Sequence, residues 1–456
     1  MKGLGLKMKE KYKKIYKLLV EAYYNSNFEK TIEYVMNHEF ESKEEARKIL
    51  AILCGVEEAK EEDDFEFMQA IVHSIIRHQV RTKIIHKVSN CESDCETVDG
   101  KTKCENVCPV DAIMRKPTGN ERWIDEDLCL NCGRCIEVCE QHHFMDSPQF
   151  LPLVGLLKEE TVVAIVAPAI AGQFGKNVTL DQLREALVKV GFTDMIEVAL
   201  AADILSLKEA MEFDRHVKKQ GDFMITSCCC PVWVTLLKRV YYKLIPDFSP
   251  SVSPMIAMGR IVKKLTPHAK VVFVGPCIAK KAEAKDKDLE DAVDYVLTFQ
   301  ELQLIFEALG IEPDRLEGLP AIDYASTGGR LYARTGGVSQ AVFDIVDQMY
   351  PNKRDLFKAV QVDGVKDCRE MLEQLENGDI RASFIEGMGC PGGCVGGPKA
   401  NIDREQGRIA ANEAAYDSVI KIPVNSEVLE ETLRQLGFKK REDLLEKSSM
   451  FEREFR

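Results

Sequence analysis

The sequence predicts an α/β protein built on a mainly parallel sheet. A small cysteine-rich α+β module precedes it, and a helical region opens the chain. Three observations carry this. From about residue 151, short apolar strands alternate with amphipathic helices, the pattern of a sheet whose neighbouring strands run the same way. Eight of the sixteen cysteines fall between about residues 86 and 150. Before about residue 85, apolar residues recur three and four apart, which is helical spacing. The expected divisions are therefore 1–85, 86–150 and 151–456, with a helical tail from about 401.

The elements follow in order. LLVEAYYNSNFEKTIEYVM and DDFEFMQAIVHSIIRHQV read as helix, and SKEEARKIL opens on Ser42 with Glu45 three residues on, a capping-box pattern. Cys54 is the one cysteine of this region, and His73 and His78 stand five apart, off a common helical face, so no site is expected here. TVVAIVAP is a continuous apolar run, as a strand covered on both faces requires. TLDQLREALVKVG follows as an amphipathic helix with a threonine start and a glycine stop. KVVFVGP, AVDYVLT and ASFIEG are further short strands; TFQELQLIFEALG repeats the capping pattern with Thr298 and Glu301. Beyond about residue 400, a polar stretch leads to the helical SEVLEETLRQLG and a charged tail.

Composition narrows the function. The 456 residues carry 61 Lys and Arg against 74 Asp and Glu, a net charge of −13. That argues against a nucleic-acid or anionic-membrane surface. No signal-peptide pattern opens the chain and no apolar run is long enough to span a bilayer, so a cytoplasmic protein is expected. Many cysteines without an export signal point to metal or redox chemistry rather than disulfides.

CLNCGRCIEVCE places Cys129, Cys132, Cys135 and Cys139 in a C-x2-C-x2-C-x3-C run, the spacing that wraps an iron–sulfur cube. Upstream, CESDCETVDGKTKCENVCP places Cys91, Cys95, Cys104 and Cys108 in a stretched version of the same run, ending in Pro109. Together they resemble a two-cluster bacterial ferredoxin. The resemblance implies one 4Fe–4S cluster on Cys91, Cys95, Cys104 and Cys139, and a second on Cys108, Cys129, Cys132 and Cys135. Such a module is an electron wire.

Three more cysteine sites each follow an apolar strand: Cys228, Cys229 and Cys230 in DFMITSCCCPVW, Cys277 in KVVFVGPCIAKKAE, and Cys390 and Cys394 in ASFIEGMGCPGGCVGGP. Ligands of open α/β sheets bind outside the carboxyl ends of strands, so the three sites are expected to converge. Lys280 adds a cation beside Cys277. Cys54 and Cys368 lack such context and read as packed small hydrophobes.

The segments TSCCCPVW, GPCIAKKAE and EGMGCPGGCVGG, in that order, resemble the three signature motifs of iron-only (FeFe) hydrogenases. The resemblance runs from about residue 86 to 400 and implies the iron-only hydrogenase fold for the α/β part. It implies an H-cluster, a 4Fe–4S cube joined through a cysteine sulfur to a two-iron site with carbon monoxide, cyanide and azadithiolate. Carried over residue by residue, Cys277, Cys390 and Cys394 ligate the cube, Cys394 also bridges to the two irons, Lys280 contacts a cyanide, and Met388 packs beside the two-iron site. Pro168 and Ala169 match the segment near the bridge amine, with Ala169 where many members have serine. Gly275, Pro391 and Tyr332 also depart from the usual methionine, histidine and phenylalanine; the departures resemble a triple-cysteine subgroup.

The family has two adjacent cysteines in the first motif, a proton carrier and then a cube ligand. Here two alignments are open: Cys228 as carrier with Cys229 as ligand, or Cys229 as carrier with Cys230 as ligand. The second keeps the distance to Glu209 and Glu212, which match the family's proton-relay glutamates, without a gap, and is preferred. Ser249 matches the serine between those glutamates. On a strand, neighbouring side chains face apart, which would separate a ligand from a carrier. The implied activity is reversible proton reduction and dihydrogen oxidation. A ferredoxin-type one-electron carrier, hydrogenase maturation proteins, protons and dihydrogen are the implied partners. Two alternatives use the same fold: a non-catalytic iron–sulfur assembly or scaffold protein, and a hydrogen sensor.

Overall fold

The computed structural model describes residues 8–58, 63–91, 95, 99–116, 121–320, 324–446 and 450–455. Half of the stretch between Cys91 and Cys104, including part of the expected insertion, lies outside the described residues, as do the first seven residues and part of the charged tail.

Four helices open the chain: α1 (Glu10–Tyr24), α2 (Phe28–His38), α3 (Lys43–Cys54) and α4 (Asp64–Ile76). The stretch read as LLVEAYYNSNFEKTIEYVM breaks at Asn25–Asn27, where Ser26 adopts a left-handed φ of 57°. Asn and Ser compete for backbone hydrogen bonds and so interrupt the periodicity. Ser42 caps α3 by accepting the Glu45 N–H at 3.1 Å. Cys54 ends α3 inside the helical core. The four-helix layer docks on the α/β part: the Tyr24 hydroxyl donates to the Val190 carbonyl at 2.8 Å and its ring stacks on Phe150.

The cysteine-rich part is held by two small antiparallel sheets. β1 (Ile85–Lys87) pairs with β4 (Phe144–Asp146), and β2 (Ile113–Arg115) pairs with β3 (Arg122–Ile124). Its core gathers Ile84, Ile85, Ile113, Ile124, Ile136 and Phe144, and it includes Ile278 from the second cysteine motif.

The α/β part holds two parallel sheets. The first has the order β6 (Asp194–Glu197), β5 (Val162–Val166), β8 (Lys270–Gly275), β9 (Tyr295–Thr298). The second has the order β10 (Ala359–Asp363), β11 (Phe384–Met388), β7 (Met224–Ile225). β5 is buried at every position, and β8 at all but its first, as their unbroken apolar runs require. Thr179 and Thr298 form the capping boxes, with Gln182 and Glu301 as the reciprocal partners. Helix Ala199–His216 crosses the interior, and Ala199 through Phe213 are all buried. Glu427–Gln435 forms the expected late helix under a Ser426 cap.

A buried ionic knot ties the cysteine-rich part to the α/β part. The wholly enclosed Lys281 donates to Asp146 of β4 at 2.7 Å, to the Ser147 carbonyl at 2.7 Å and to Glu301 at 2.5 Å. Lys399 closes on the other oxygen of Asp146 at 2.6 Å. An ammonium has three N–H donors, and all three are used. Replacing Lys281 with Met leaves Glu301 buried without its cation. The expected cost is about 3–5 kcal/mol, read as a lowered denaturant midpoint of the full chain; an unchanged midpoint would contradict the role given to this knot.

Candidate functional site

The cysteines of the small module fall into two groups. Cys91, Cys95, Cys104 and Cys139 lie near enough for their charges to act on one another. Cys108, Cys129, Cys132 and Cys135 line a common space together with Ile85, Ile113, Ile124 and Leu130. Backbone N–H groups point at several sulfurs: Ala112 at Cys108 (3.2 Å), Asn131 at Cys129 (3.4 Å) and His143 at Cys139 (3.2 Å). Such donors favour a thiolate and tune a cluster's potential. The donor set is thus thiol-only and surrounded by N–H groups, which fits iron–sulfur clusters.

The three later motifs converge. β8 delivers Cys277 and Lys280, β11 delivers Met388, Cys390 and Cys394, and β7 delivers the triple-cysteine segment, each at the strand's carboxyl end. Cys390 is within reach of the charges of Cys277, Cys230 and Cys394, and also of Cys132 in the small module. Burial pushes the Cys390 thiol well up and the Cys394 thiol to about 12. The Cys230 sulfur accepts the Gly389 N–H at 3.2 Å. Gly392 and Gly393 have φ of 81° and 84°, and a side chain on Gly393 would meet the Thr335 nitrogen at 2.6 Å. Only glycine allows this turn between the last two thiols.

Lys280 is buried and pairs with Glu283 at 2.6 Å. Burial opposes its charge, but Glu283 with Cys277 and Cys229 outweighs that and raises its pKa. At Gly275, a Cβ would lie 2.5 Å from the Phe273 ring, so that ring occupies the room a methionine side chain would take. Pro168 and the buried Ala169 form a 3-10 turn just past β5.

The triple cysteine is a turn rather than a strand, which corrects the alternation expected from the sequence. β7 ends at Ile225, Ser227 takes a left-handed φ of 69°, and the Cys230 N–H closes on the Ser227 carbonyl at 3.1 Å. Cys230 then caps helix Pro231–Arg239, with the proline at its first position. The turn sends its thiols to different neighbours. Cys228 donates to Glu209 at 3.4 Å. Cys229 feels Cys228, Cys394, Cys230 and Lys280.

Glu209 and Glu212 lie on helix Ala199–His216, and both are buried. Thr226 donates to Glu209 at 2.5 Å. Ser249 donates to Glu212 at 2.7 Å, and its oxygen lies 3.0 Å from the Ser251 hydroxyl. The Phe248–Val252 loop that carries Ser249 is fixed by the Ser249 N–H on the Ile225 carbonyl of β7 at 2.9 Å. Sequence reasoning missed Lys208, which is fully buried beside Glu209 in the chain and paired with Glu212. It also missed Ser206, whose hydroxyl donates to the Ala202 carbonyl and accepts from the Tyr332 hydroxyl at 2.9 Å, so the tyrosine's extra oxygen has a partner. Cys368 donates to the Met388 carbonyl at 3.4 Å, directly behind the third motif.

Burial raises the Glu209 pKa to about 7, opposed by the Thr226 hydrogen bond and assisted by Glu212. A carboxyl that titrates near neutrality can both take and release a proton. The folded state therefore holds a proton that the unfolded chain has lost between pH 4.5 and about 7. This contribution is fully present below the unfolded value and is lost as pH rises through about 7. Glu209→Gln removes the dependence. Its stability relative to the natural chain should rise by on the order of 3 kcal/mol between about pH 4 and pH 8 in denaturant titrations; a pH-independent difference would contradict the buried titration.

Comparison with known proteins agrees with this geometry. Residues 160–398 match the family described as the iron only hydrogenase large subunit, C-terminal domain, and residues 122–142 match a 4Fe-4S binding domain. The chain is 27% identical over 364 residues to the NADP-reducing hydrogenase subunit HndD of Solidesulfovibrio fructosivorans, covering 67% of this chain and 61% of that protein. It is 23% identical over 271 residues to a probable cytosolic Fe-S cluster assembly factor of Aedes aegypti, covering 49% of this chain and 57% of that one. The solved [FeFe]-hydrogenase HydA(deltaEFG) superposes with a TM-score of 0.53 at 19% identity, covering 67% of this chain and 98% of that chain, a likeness of fold. With more than half of its length matched and the three cysteine motifs gathered at the strand ends, this chain belongs to the family of iron-only hydrogenase C-terminal domains.

Proposed function

We propose that the chain is an FeFe hydrogenase that interconverts protons, electrons and dihydrogen at an H-cluster. The observation that carries the reading is the buried carboxylate line that ends on the cysteine turn, with Glu209 wholly enclosed and bonded to Cys228. Each enclosed carboxylate costs desolvation. A protein that only held or passed on clusters would gain nothing from that cost.

In this reading Cys230, Cys277, Cys390 and Cys394 would hold the cofactor, Lys280 would supply a cation to its anionic ligands, and Met388 would pack against it. When bound, the H-cluster supplies electron storage and the centre at which the H–H bond is made or broken. Cys229 carries the proton nearest that centre, and Cys228 stands between it and Glu209. The preference for Cys230 as ligand is supported by the Gly389 N–H on its sulfur and by its closeness to Cys277, Cys390 and Cys394. Glu283 fixes Lys280 and keeps it an ammonium, so its charge stays available for an anionic ligand. Electrons would arrive from a ferredoxin-type carrier through the two module clusters. The nearness of Cys132 to Cys390 supports that order.

A second reading, iron–sulfur cluster assembly, is favoured by the name of the Aedes aegypti relative. One spectrum separates the two. After maturation, or after supply of a two-iron precursor to protein with full cubes, infrared bands of metal-bound carbon monoxide and cyanide are expected. Full cubes without those bands would overturn the hydrogenase reading and leave the assembly reading standing.

A further inference from the structure

The carboxylate line has a solvent end that lies far away in the sequence. The buried Lys208 ammonium donates to Glu212, to the Ser251 hydroxyl at 3.1 Å and to Glu452 at 3.1 Å. Its three N–H groups are therefore all committed. Lys208 has no exposed side-chain surface and Glu212 has 7%, whereas Glu452 keeps 27%. Of the three, Glu452 is the group water reaches best.

Glu452 belongs to a strap that the fold holds firmly. Glu452 bridges Ser251 in antiparallel fashion, the Val252 N–H donates to the Phe451 carbonyl at 2.9 Å, and the Arg453 N–H donates to the Pro250 carbonyl at 2.9 Å. Phe451 is fully buried and the Phe455 ring lies 5.3 Å from Phe248. The strap thus clamps the very loop that carries Ser249. Its neighbour Arg453 reaches Asp286 at 3.1 Å and approaches Glu283 at 4.0 Å.

We propose that Glu452 is the group that exchanges protons with bulk water for this site, and that Lys208 passes them between Glu452 and Glu212. The inference rests on the relay named under Proposed function and extends it to the surface. The step balances without a reductant or oxidant. Glu452 takes a proton from water and hands it to Lys208 as Lys208 hands one of its own to Glu212. At the end Lys208 is still an ammonium, Glu452 is again a carboxylate, and one proton has moved inward. Dihydrogen oxidation runs the same steps outward. A fixed ammonium between two carboxylates suits this, because it never has to stand uncharged in the core: the gain and the loss of its proton are concerted.

The test uses the full chain in two states. In protein carrying its cubes but no two-iron site, a pH jump from above to below about 7 protonates Glu209, read as its carboxylic C=O infrared band and identified by its loss in Glu209→Gln. Glu452→Gln preserves the shape and a hydrogen bond to Lys208. It is expected to slow the appearance of that band by at least about tenfold, with Glu452→Asp recovering part of the rate. An unchanged rate in Glu452→Gln would overturn the proposal. In protein loaded with the two-iron site, Glu452→Gln should lower turnover in both directions, leave the carbon monoxide and cyanide bands in place, and make the rate depend on small diffusible buffers. Intact bands with unaltered turnover and buffer dependence would also overturn it. If the natural chain never shows those bands, the hydrogenase reading fails, and the pH jump still decides the role of Glu452.

Discussion

Among the described residues, the enclosed lysines of this site each pair with a carboxylate, and the arrangement of the site depends on that constraint. An ammonium or carboxylate taken out of water is tolerated only when its hydrogen-bonding capacity is met in place. Three enclosed lysines find their carboxylates in three ways. Lys281 joins β4 of the small module to the helix after β9 through Asp146 and Glu301. Lys280 turns to Glu283 within its own short helix. Lys208 draws Glu212 and Glu452 together across the interior helix and the late strap. Each pair fixes a segment that bears a functional side chain, so the cysteine pockets inherit their geometry from these contacts as much as from the sheets.

That arrangement brings two lines to one turn. Cys132 of the small module acts on Cys390, and Glu209 bonds Cys228. The thiols of the three motifs lie between them. In the reading proposed above, the electron path through thiol-lined pockets and the proton path through carboxylates and hydroxyls meet without sharing a residue. The tight turn at Ser227–Cys230 makes this compatible with three consecutive cysteines. Cys228 faces the carboxylates, Cys230 lies near Cys390, and Cys229 lies within reach of the charges of Cys394 and Lys280.

Much of this was legible in the sequence, for identifiable reasons. β5 and β8 announced themselves because strands covered on both faces read as near-continuous apolar runs. Thr179 and Thr298 marked helix starts because the capping box is a local device with a fixed spacing. The ferredoxin resemblance implied cysteine groups around Cys91 and around Cys108, and the thiols of each lie near one another. What stayed hidden depends on contacts between residues remote in the chain. Lys208 reads as one more charged helix residue until Glu452 is set beside it. Lys281 reads as a solvated neighbour of Lys280 until Asp146 and Glu301 enclose it. The cysteine turn escaped because a short apolar run followed by cysteines looks like a longer strand, and only the left-handed Ser227 ends it.

The central claim is that these buried thiols, with a proton path leading to them, turn over dihydrogen. Isotope exchange between D2 and ordinary water tests it most directly, because it needs both bond cleavage and proton exchange and no external electron carrier. For the matured chain carrying its cubes and two-iron site, the account predicts steady release of HD and H2, followed by mass spectrometry. The same loaded protein producing neither, at any pH from about 5 to 9 around the Glu209 transition near 7, would contradict it.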